Sequence, residues 1–183
     1  MNRIFENFEV QVMDEPTYSP RSADNLRNYN FEYCRSYEYR HASAHGINVL
    51  ENGQFVASAI VLGVSGATGV NQNSIAYDGT NIYVAAGDSL FALSLPSLIL
   101  VWCKKVDWAT CFGVFWLKEK QYLITWGEID IGCYTPHGEK VWSVSGPDIF
   151  TEGFTLESES ASVIDFNGDL FRINLNSGEI VKT

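Results

Sequence analysis

Short runs that alternate apolar and polar residues follow one another along this chain and are separated by turn residues. Alternation with a period of two is typical of β-strands that bury one face. The runs end at Gly, Asn, Asp or Pro, which are the residues that tight turns favour. The pattern therefore predicts an all-β protein.

One arrangement of four short strands recurs three times in the C-terminal part of the chain. The central turns of these copies contain Gly87, Gly127 and Gly168, which are evenly spaced, and Gly46 precedes Gly87 by the same interval. Four-stranded antiparallel units that repeat about every 40 residues are typical of β-propeller blades. The sequence thus predicts three clear units, over residues 74–110, 111–150 and 151–183, and a degenerate unit over residues 31–73.

The N-terminal part has weaker signals. Residues 4–13 alternate loosely and predict one strand, and residues 16–25 are rich in Pro, Ser, Asp and Asn and predict a loop. Residues 31–39 alternate aromatic and polar side chains and predict another strand. Asn52-Gly53 lies between two β-prone runs and predicts a hairpin with a type I′ turn, because both central residues of that turn have positive φ.

We interpret residues 1–183 as a single all-β domain in which residues 1–30 form an N-terminal strand and loop. A closed four-bladed ring would need the degenerate unit and residues 4–13 added to an outer sheet. An open partial propeller would leave one apolar face uncovered unless residues 1–40 or a second chain capped it. A two-sheet β-sandwich is the alternative fold.

The segment from Asp78 to Trp102 begins DGTNIYVAAGDSLFAL and ends on the tryptophan. It resembles the repeat of quinoprotein-type (PQQ-like) β-propellers, and residues of about 74–183 carry the resemblance. The resemblance implies the fold. Quinoprotein dehydrogenases have about eight blades, a quinone and a metal, whereas this sequence has at most four units and no recurring residues for either group. No cofactor is therefore expected.

The composition narrows the classes of partner. The chain has 183 residues, of which 46% are apolar and 19% charged, and its net charge is −10. Such a charge repels nucleic-acid backbones and anionic lipid surfaces, so neither is an expected partner. It suits solubility and a basic protein partner, although most acidic proteins are simply well solvated.

Localisation is inferred from the cysteines and the N-terminus. Cys34, Cys103, Cys111 and Cys133 are scattered and form no CxxC pair. The first residues contain no apolar stretch of a signal peptide, and no apolar run is long enough to span a membrane. We therefore expect a cytoplasmic protein with reduced thiols.

Catalytic and metal sites are not indicated. His41 and His45 would share a face on a helix, but on a strand they lie about 13 Å apart, which is too far for one metal ion. The motif Gly-x-Ser-x-Gly of a serine nucleophile is absent. Cys111 and Cys133 lie among Phe and Tyr residues at strand positions, where inert buried thiols are expected. The sequence assigns no catalytic, cofactor-binding or metal-binding residue.

A protein-binding site is the remaining hypothesis. Asp88, Glu128 and Asp169 occupy the same turn of successive units and would share one rim, although tight turns favour carboxylates in any case. Trp108 and Trp116 flank the link between two units, and exposed aromatic residues would mark a partner site. These five residues are the predicted partner-binding set.

Two further tryptophans, Trp102 and Trp142, hold equivalent positions in successive units and predict packing between blades. The functional hypothesis is a non-enzymatic protein-interaction module, of adaptor or immunity type. The alternative is a carbohydrate- or small-molecule-binding protein or enzyme with a cleft where the blades converge. A third hypothesis is an accessory module that acts within a homo-oligomer, if the propeller is open.

Overall fold

The computed structural model describes all 183 residues and consists of seventeen β-strands joined by turns and loops. It contains no helix that could cross a membrane. The strands are β1 (Asn2–Phe5), β2 (Phe8–Asp14), β3 (Phe31–Cys34), β4 (Ser43–Glu51), β5 (Gln54–Gly63), β6 (Ile75–Tyr77), β7 (Asn81–Ala86), β8 (Ser89–Ser94), β9 (Leu100–Lys105), β10 (Cys111–Leu117), β11 (Tyr122–Gly127), β12 (Asp130–Tyr134), β13 (Lys140–Ser145), β14 (Gly153–Leu156), β15 (Ser160–Ile164), β16 (Leu170–Asn174) and β17 (Ile180–Lys182).

The strands form four sheets in chain order. The second, third and fourth sheets are four-stranded antiparallel meanders, with the orders β6-β7-β8-β9, β10-β11-β12-β13 and β14-β15-β16-β17. The first sheet has five strands in the order β1-β2-β4-β5-β3, and β3 pairs with β5 in parallel. The prediction of an all-β protein built from propeller-like units is confirmed.

The first sheet differs in extent from the unit predicted over residues 31–73. Residues 4–13, predicted as one strand, belong to the hairpin β1–β2, which turns at Glu6 with a φ of 54°. The aromatic strand predicted over residues 31–39 ends at Cys34. Residues 15–42, which we call the insert, connect β2 to β4 and contribute β3. The first unit therefore begins at Asn2.

Gly46 is not the turn glycine that its spacing predicts. It lies within β4, where it pairs with Met13 and Ile60. Its side of the sheet is covered by Tyr29, whose hydroxyl oxygen lies 1.9 Å from the position that a Cβ at Gly46 would occupy. The glycine is required by this close approach, and its regular spacing from Gly87 is a coincidence.

The hairpin predicted at Asn52-Gly53 is confirmed. Asn52 and Gly53 connect β4 to β5 with φ angles of 52° and 78°. Positive φ at both central residues is the geometry of a type I′ turn.

The buried core is divided between neighbouring sheets in a row. One cluster joins the first and second sheets through Val12, Ile47 and Phe91, a second joins the second and third sheets, and a third joins the third and fourth. No cluster joins the fourth sheet to the first. The sheets are therefore an open partial propeller and not a closed ring.

The tryptophans predicted to pack between blades do so. A Cβ at Gly138, in the last turn of the third sheet, would lie 2.9 Å from the ring of Trp102 in the second sheet. In the same way, the ring of Trp142 in the third sheet packs against Gly178 in the fourth. The indole nitrogen of Trp102 also donates a hydrogen bond to the Pro136 carbonyl at 2.8 Å. Each ring thus joins its sheet to the next.

The insert covers the outer face of the first sheet. Tyr18 and Tyr29 pack against the buried side chains of Ala44, Ile60 and Leu62. The capping role predicted for residues 1–40 is therefore filled by the insert.

Ion pairs and hydrogen bonds fix the insert in place. Glu15 is only 5% exposed and accepts hydrogen bonds from Arg27 Nη1 and Tyr29 Oη, both at 2.7 Å. Ser58 of β5 donates its backbone N–H to Asn30 Oδ1 at 2.9 Å. Burial beside Glu15 raises the pKa of Tyr29, so this phenol remains a donor.

The free face of the fourth sheet is mostly polar. The buried residues of β15 and β16 point toward the third sheet, and the alternate positions face solvent. Among these, Arg172 pairs with Glu157 at 2.7 Å and donates to Ser160 Oγ at 3.1 Å. Leu170 and Val181 are the apolar exceptions, 42% and 55% exposed. A polar outer face is what a terminal repeat needs in order to remain soluble.

Substitution of Gly46 by alanine tests the close approach of the insert. The added Cβ would overlap the Tyr29 ring, so we expect the free energy of unfolding in urea to fall by about 2 kcal/mol. Gly153→Ala is the matched control, because its Cβ would have an ordinary contact of 3.6 Å. Equal stability of the two variants would contradict the packing of the insert on β4.

Candidate functional site

Hydrogen bonds join all four sheets along one edge, which we call the upper rim. The turn carbonyl of Gly87 accepts the N–H of Cys111, and that of Glu128 accepts the N–H of Phe150, both at 2.7 Å. Cys111 and Phe150 stand where the chain enters the next sheet. Gly87 N–H in turn donates to Thr68 Oγ1 of the first link at 3.0 Å. The upper rim comprises the links 64–74, 106–110 and 146–152 and the central turns 87–88, 128–129 and 165–169.

Asp107 is the central acceptor of the upper rim. Its carboxylate, in a residue only 2% exposed, accepts two N–H groups from its own link, at 2.7 and 2.9 Å. It accepts two more from Ile129 and Asp130 in the next sheet, at 3.1 and 2.9 Å. Burial raises the pKa of Asp107, and these hydrogen bonds oppose the rise. The side chain thus fixes the third sheet to the second.

Asp148 stands at the equivalent position one unit later, but it is exposed and accepts fewer hydrogen bonds. It accepts the N–H of Ile149 and the side-chain amide of Asn167 in the fourth sheet, both at 2.8 Å. Sequence reasoning missed both link aspartates, although Asp107 and Asp148 are separated by the same repeat interval as the turn glycines. That spacing was the available signal.

The three predicted carboxylates all lie on the upper rim but differ in surroundings. Asp88 is fully buried, and its oxygens accept from Arg35 Nη2 at 2.9 Å and Ser89 Oγ at 2.7 Å. Asp169 pairs with Lys182. Glu128 is half-buried and its carboxylate forms no ion pair. Among the three, only Glu128 offers an unpaired charge to solvent.

The two predicted tryptophans are separated. Trp108 lies in the link after the second sheet on the upper rim and is 73% exposed. Lys105 Nζ lies 4.4 Å from the centre of its ring, a cation–π contact. Trp116 lies in β10 and is half-buried. The structure therefore brings Trp108 to the same rim as Glu128 but places Trp116 elsewhere.

Unpaired carboxylates extend the acidic character of the upper rim beyond Glu128. Asp130 borders the small pocket of about 130 Å³ beside Trp108. Asp148 and Glu152 are exposed in the following link. None of these forms an ion pair with a lysine or arginine of the chain. The edge of the third and fourth sheets thus carries carboxylates without an ion pair, whereas the pocket beside Trp108 is also lined by Lys105 and Lys140.

A second concave surface lies where the inner strands of the four sheets converge. This axial groove, of about 280 Å³, is lined by Phe5, Tyr77, Phe115, Trp116 and Leu156, among others. The rings of Phe5 and Tyr77 are 4.8 Å apart. The groove is aromatic and contains no cluster of titratable groups.

The histidines and cysteines form no reactive cluster. No group of three His, Cys, Asp or Glu side chains converges as a metal site would require. Burial raises the pKa of Cys103, Cys111 and Cys133 to about 12, so these thiols are not thiolates at neutral pH. His45 is fully buried in β4, and its Nε2 donates to the Thr68 carbonyl at 3.1 Å.

No protein-family model matches this sequence, and no curated protein does. The fold is similar to that of BamB from Moraxella catarrhalis, with a TM-score of 0.58 and 13% identity over 98% of this chain and 59% of BamB. It is also similar to U3-55K, with a TM-score of 0.50 and 14% identity over 61% of this chain and 39% of that one. The similarity to the WD40 repeats of RRP9 has a TM-score of 0.50 and 14% identity, and it covers 61% of this chain and 38% of the RRP9 chain.

These similarities concern the fold. BamB is a PQQ-like β-propeller, so the resemblance of residues 74–183 to that repeat is confirmed at the level of the fold. The matched part makes up 38% to 59% of the length of the three known structures. Identity this low shows architecture and not activity.

Asp107→Ala tests the attachment of the third sheet. The substitution leaves four backbone N–H groups of the upper rim without an acceptor, so we expect the free energy of unfolding to fall by about 3 kcal/mol. Glu119→Ala, at an exposed turn where the carboxylate forms no ion pair, is the control. Urea denaturation that gives the same midpoint for both variants would contradict this role.

His45 makes stability depend on pH. Burial lowers the pKa of His45 below its ordinary value near 6.5. The unfolded chain therefore binds a proton first as the pH falls, and stability declines below pH 6.5, by up to about 1.4 kcal/mol per pH unit. In His45→Gln the free energy of unfolding should change less between pH 6.5 and about 5. Parallel pH profiles for the variant and the wild type would exclude His45 as the cause.

Proposed function

We propose that this chain is a non-enzymatic protein-interaction module that binds a basic protein partner through its upper rim, as a cytoplasmic adaptor or an immunity-type protein would. The observation that carries the proposal is the exposed indole ring of Trp108 on a rim that also carries carboxylates without an ion pair. The support comes from the surface chemistry of this chain.

Trp108 has the properties of an interface anchor. Its ring is 73% exposed although a tryptophan gains much from burial. The contact with Lys105 Nζ restrains the ring, so its orientation is largely set before a partner arrives. Tryptophan is among the residues most enriched at the energetic centres of interfaces.

The neighbouring charges favour a basic partner. Glu128, Asp148 and Glu152 lie on the upper rim and Asp130 adjoins it, while Lys105 and Lys140 line the pocket beside Trp108. The net charge of −10 adds a long-range negative field. Charges at the border of an interface mainly increase the association rate and favour a partner of opposite charge. Lysine and arginine side chains around a central apolar contact would complement this surface.

The axial groove supports a second candidate function. A concave surface lined by Tyr77, Phe115 and Trp116 is suited to stack against a sugar ring or a flat small molecule. Arg3 stands at its edge, where its guanidinium donates to the Gln72 carbonyl at 2.6 Å. A carbohydrate-binding role would use this groove and not the upper rim.

Affinity capture with matched variants tests the first proposal. Immobilised wild-type chain should retain a basic protein at low salt and lose it at high salt, because screening weakens rim charges. Trp108→Ala should abolish retention. Phe55→Ala should not, since Phe55 is 59% exposed on the β4–β5 hairpin of the first sheet. Hydrogen exchange of the purified complex should then show protection at residues 106–110 and 146–152.

Two outcomes would separate the candidates. Retention of the same proteins by wild type, Trp108→Ala and Phe55→Ala would contradict the upper rim as the binding surface. Binding to a glycan array that is lost in Trp116→Ala and kept in Trp108→Ala would favour the axial groove instead.

A further inference from the structure

A third concave surface lies within the insert, apart from the upper rim and the axial groove. It is an open cleft of about 850 Å³ whose walls come from residues 16–21 and 37–42, with Cys34 and Ala44 also lining it. It shares no lining residue with the other two pockets described above. Its size is that of a cleft for a small molecule. We call it the insert cleft.

The insert cleft concentrates basic groups in a strongly acidic protein. Arg21, Arg40 and His41 line it. None of the ion pairs of the chain involves Arg21 or Arg40, although the chain carries 22 Asp and Glu residues. Arg35 and Arg172, by contrast, both pair with carboxylates. Two guanidinium groups therefore line the cleft without a carboxylate partner.

Aromatic rings line the insert cleft together with these cations. Tyr18, Tyr37 and Tyr39 also line the cleft, and Tyr37 and Tyr39 are 50% and 66% exposed. The guanidinium carbon of Arg21 lies 5.0 Å from the centre of the Tyr37 ring. A guanidinium held over a ring keeps its outer N–H donors free for a planar anion.

The walls of the insert cleft are fixed by hydrogen bonds. Tyr18 Oη donates to Glu32 Oε2 at 2.8 Å, and the Arg21 N–H donates to the same oxygen at 3.2 Å. Arg21 has a φ of 59°, a left-handed conformation that is uncommon for a residue with a side chain. Such residues are held by their surroundings and are concentrated at functional positions.

We propose that the insert cleft binds a small anion that carries a planar ring. The anionic group, a carboxylate or a phosphate, accepts hydrogen bonds from the guanidinium groups of Arg21 and Arg40, and the ring packs against the exposed tyrosines. Guanidinium forks match both anions in geometry. This site is independent of the protein partner proposed for the upper rim.

One carboxylate in the insert cleft would repel the proposed anion, so it offers a test of the charge of the ligand. Glu38 also lines the insert cleft and forms no ion pair. It repels a bound anion, so its neutralisation should strengthen binding. An aromatic cation as ligand would give the opposite result.

Phenyl phosphate is the probe, and amide chemical shifts of the full chain are the readout. Titration should shift the signals of residues 16–21 and 37–42 saturably, whereas inorganic phosphate and phenol should bind at least about tenfold more weakly, because each supplies only half of the contacts. Benzoate should bind in the same place, which distinguishes a general anion site from a phosphate site.

Variants decide between a built site and diffuse attraction. Arg21→Ala and Arg40→Ala should each weaken the binding of phenyl phosphate about tenfold, and Glu38→Gln should strengthen it. Lys118→Ala is the control and should leave the affinity unchanged, since Lys118 is an exposed cation of the third sheet. Arg21→Lys keeps the charge and serves if Arg21→Ala alters the fold, and it should recover part of the affinity. Shifts spread over the lysines of the other sheets, or no saturable shift at millimolar phenyl phosphate, would overturn the proposal.

Discussion

The structure depends on burial of one sheet face against the next in a row that does not close. Each sheet is apolar on the side that meets its neighbour, so the second and third sheets have both faces covered, while the first and the fourth have one face each without a neighbouring sheet. A whole sheet face of exposed apolar side chains would promote association with other molecules. The chain resolves the problem differently at its two ends, with the insert on the first sheet and polar side chains on the fourth.

Directional contacts at both edges fix the sheets relative to one another. Along the upper rim, Asp107 and Asp148 accept N–H groups from the sheet that follows them. At the opposite edge, Trp102 and Trp142 pack on glycines of the following sheet. Hydrophobic burial alone does not set the angle between two sheets, whereas these contacts recur at the same positions of successive units. The rim that results carries Trp108 and the unpaired carboxylates on a rigid support.

The sequence predicted what depends on local pattern and missed what depends on long-range contact. The Asn52-Gly53 hairpin and the turn glycines Gly87 and Gly168, which have positive φ, follow from short-range rules. Gly127, predicted as a turn glycine, lies instead at the end of β11, where Asp107 Oδ2 would be 2.1 Å from a Cβ. Gly46 shows the limit, because its reason is the Tyr29 ring, which reaches it from a separate loop. Asp88 shows another, since only the fold reveals that Arg35 neutralises it. The insert cleft was equally invisible, because the composition of residues 16–25 indicates only a loop.

The central claim is that neither end of the open row needs a second copy of the chain as a cover, because the insert covers the first sheet and polar side chains predominate on the fourth. Light scattering coupled to size-exclusion chromatography tests it most directly. The account predicts the mass of one chain, 20.5 kDa, across the accessible range of protein concentration. A stable mass of two chains at every concentration would contradict it, because a second copy would then be needed to cover a terminal face.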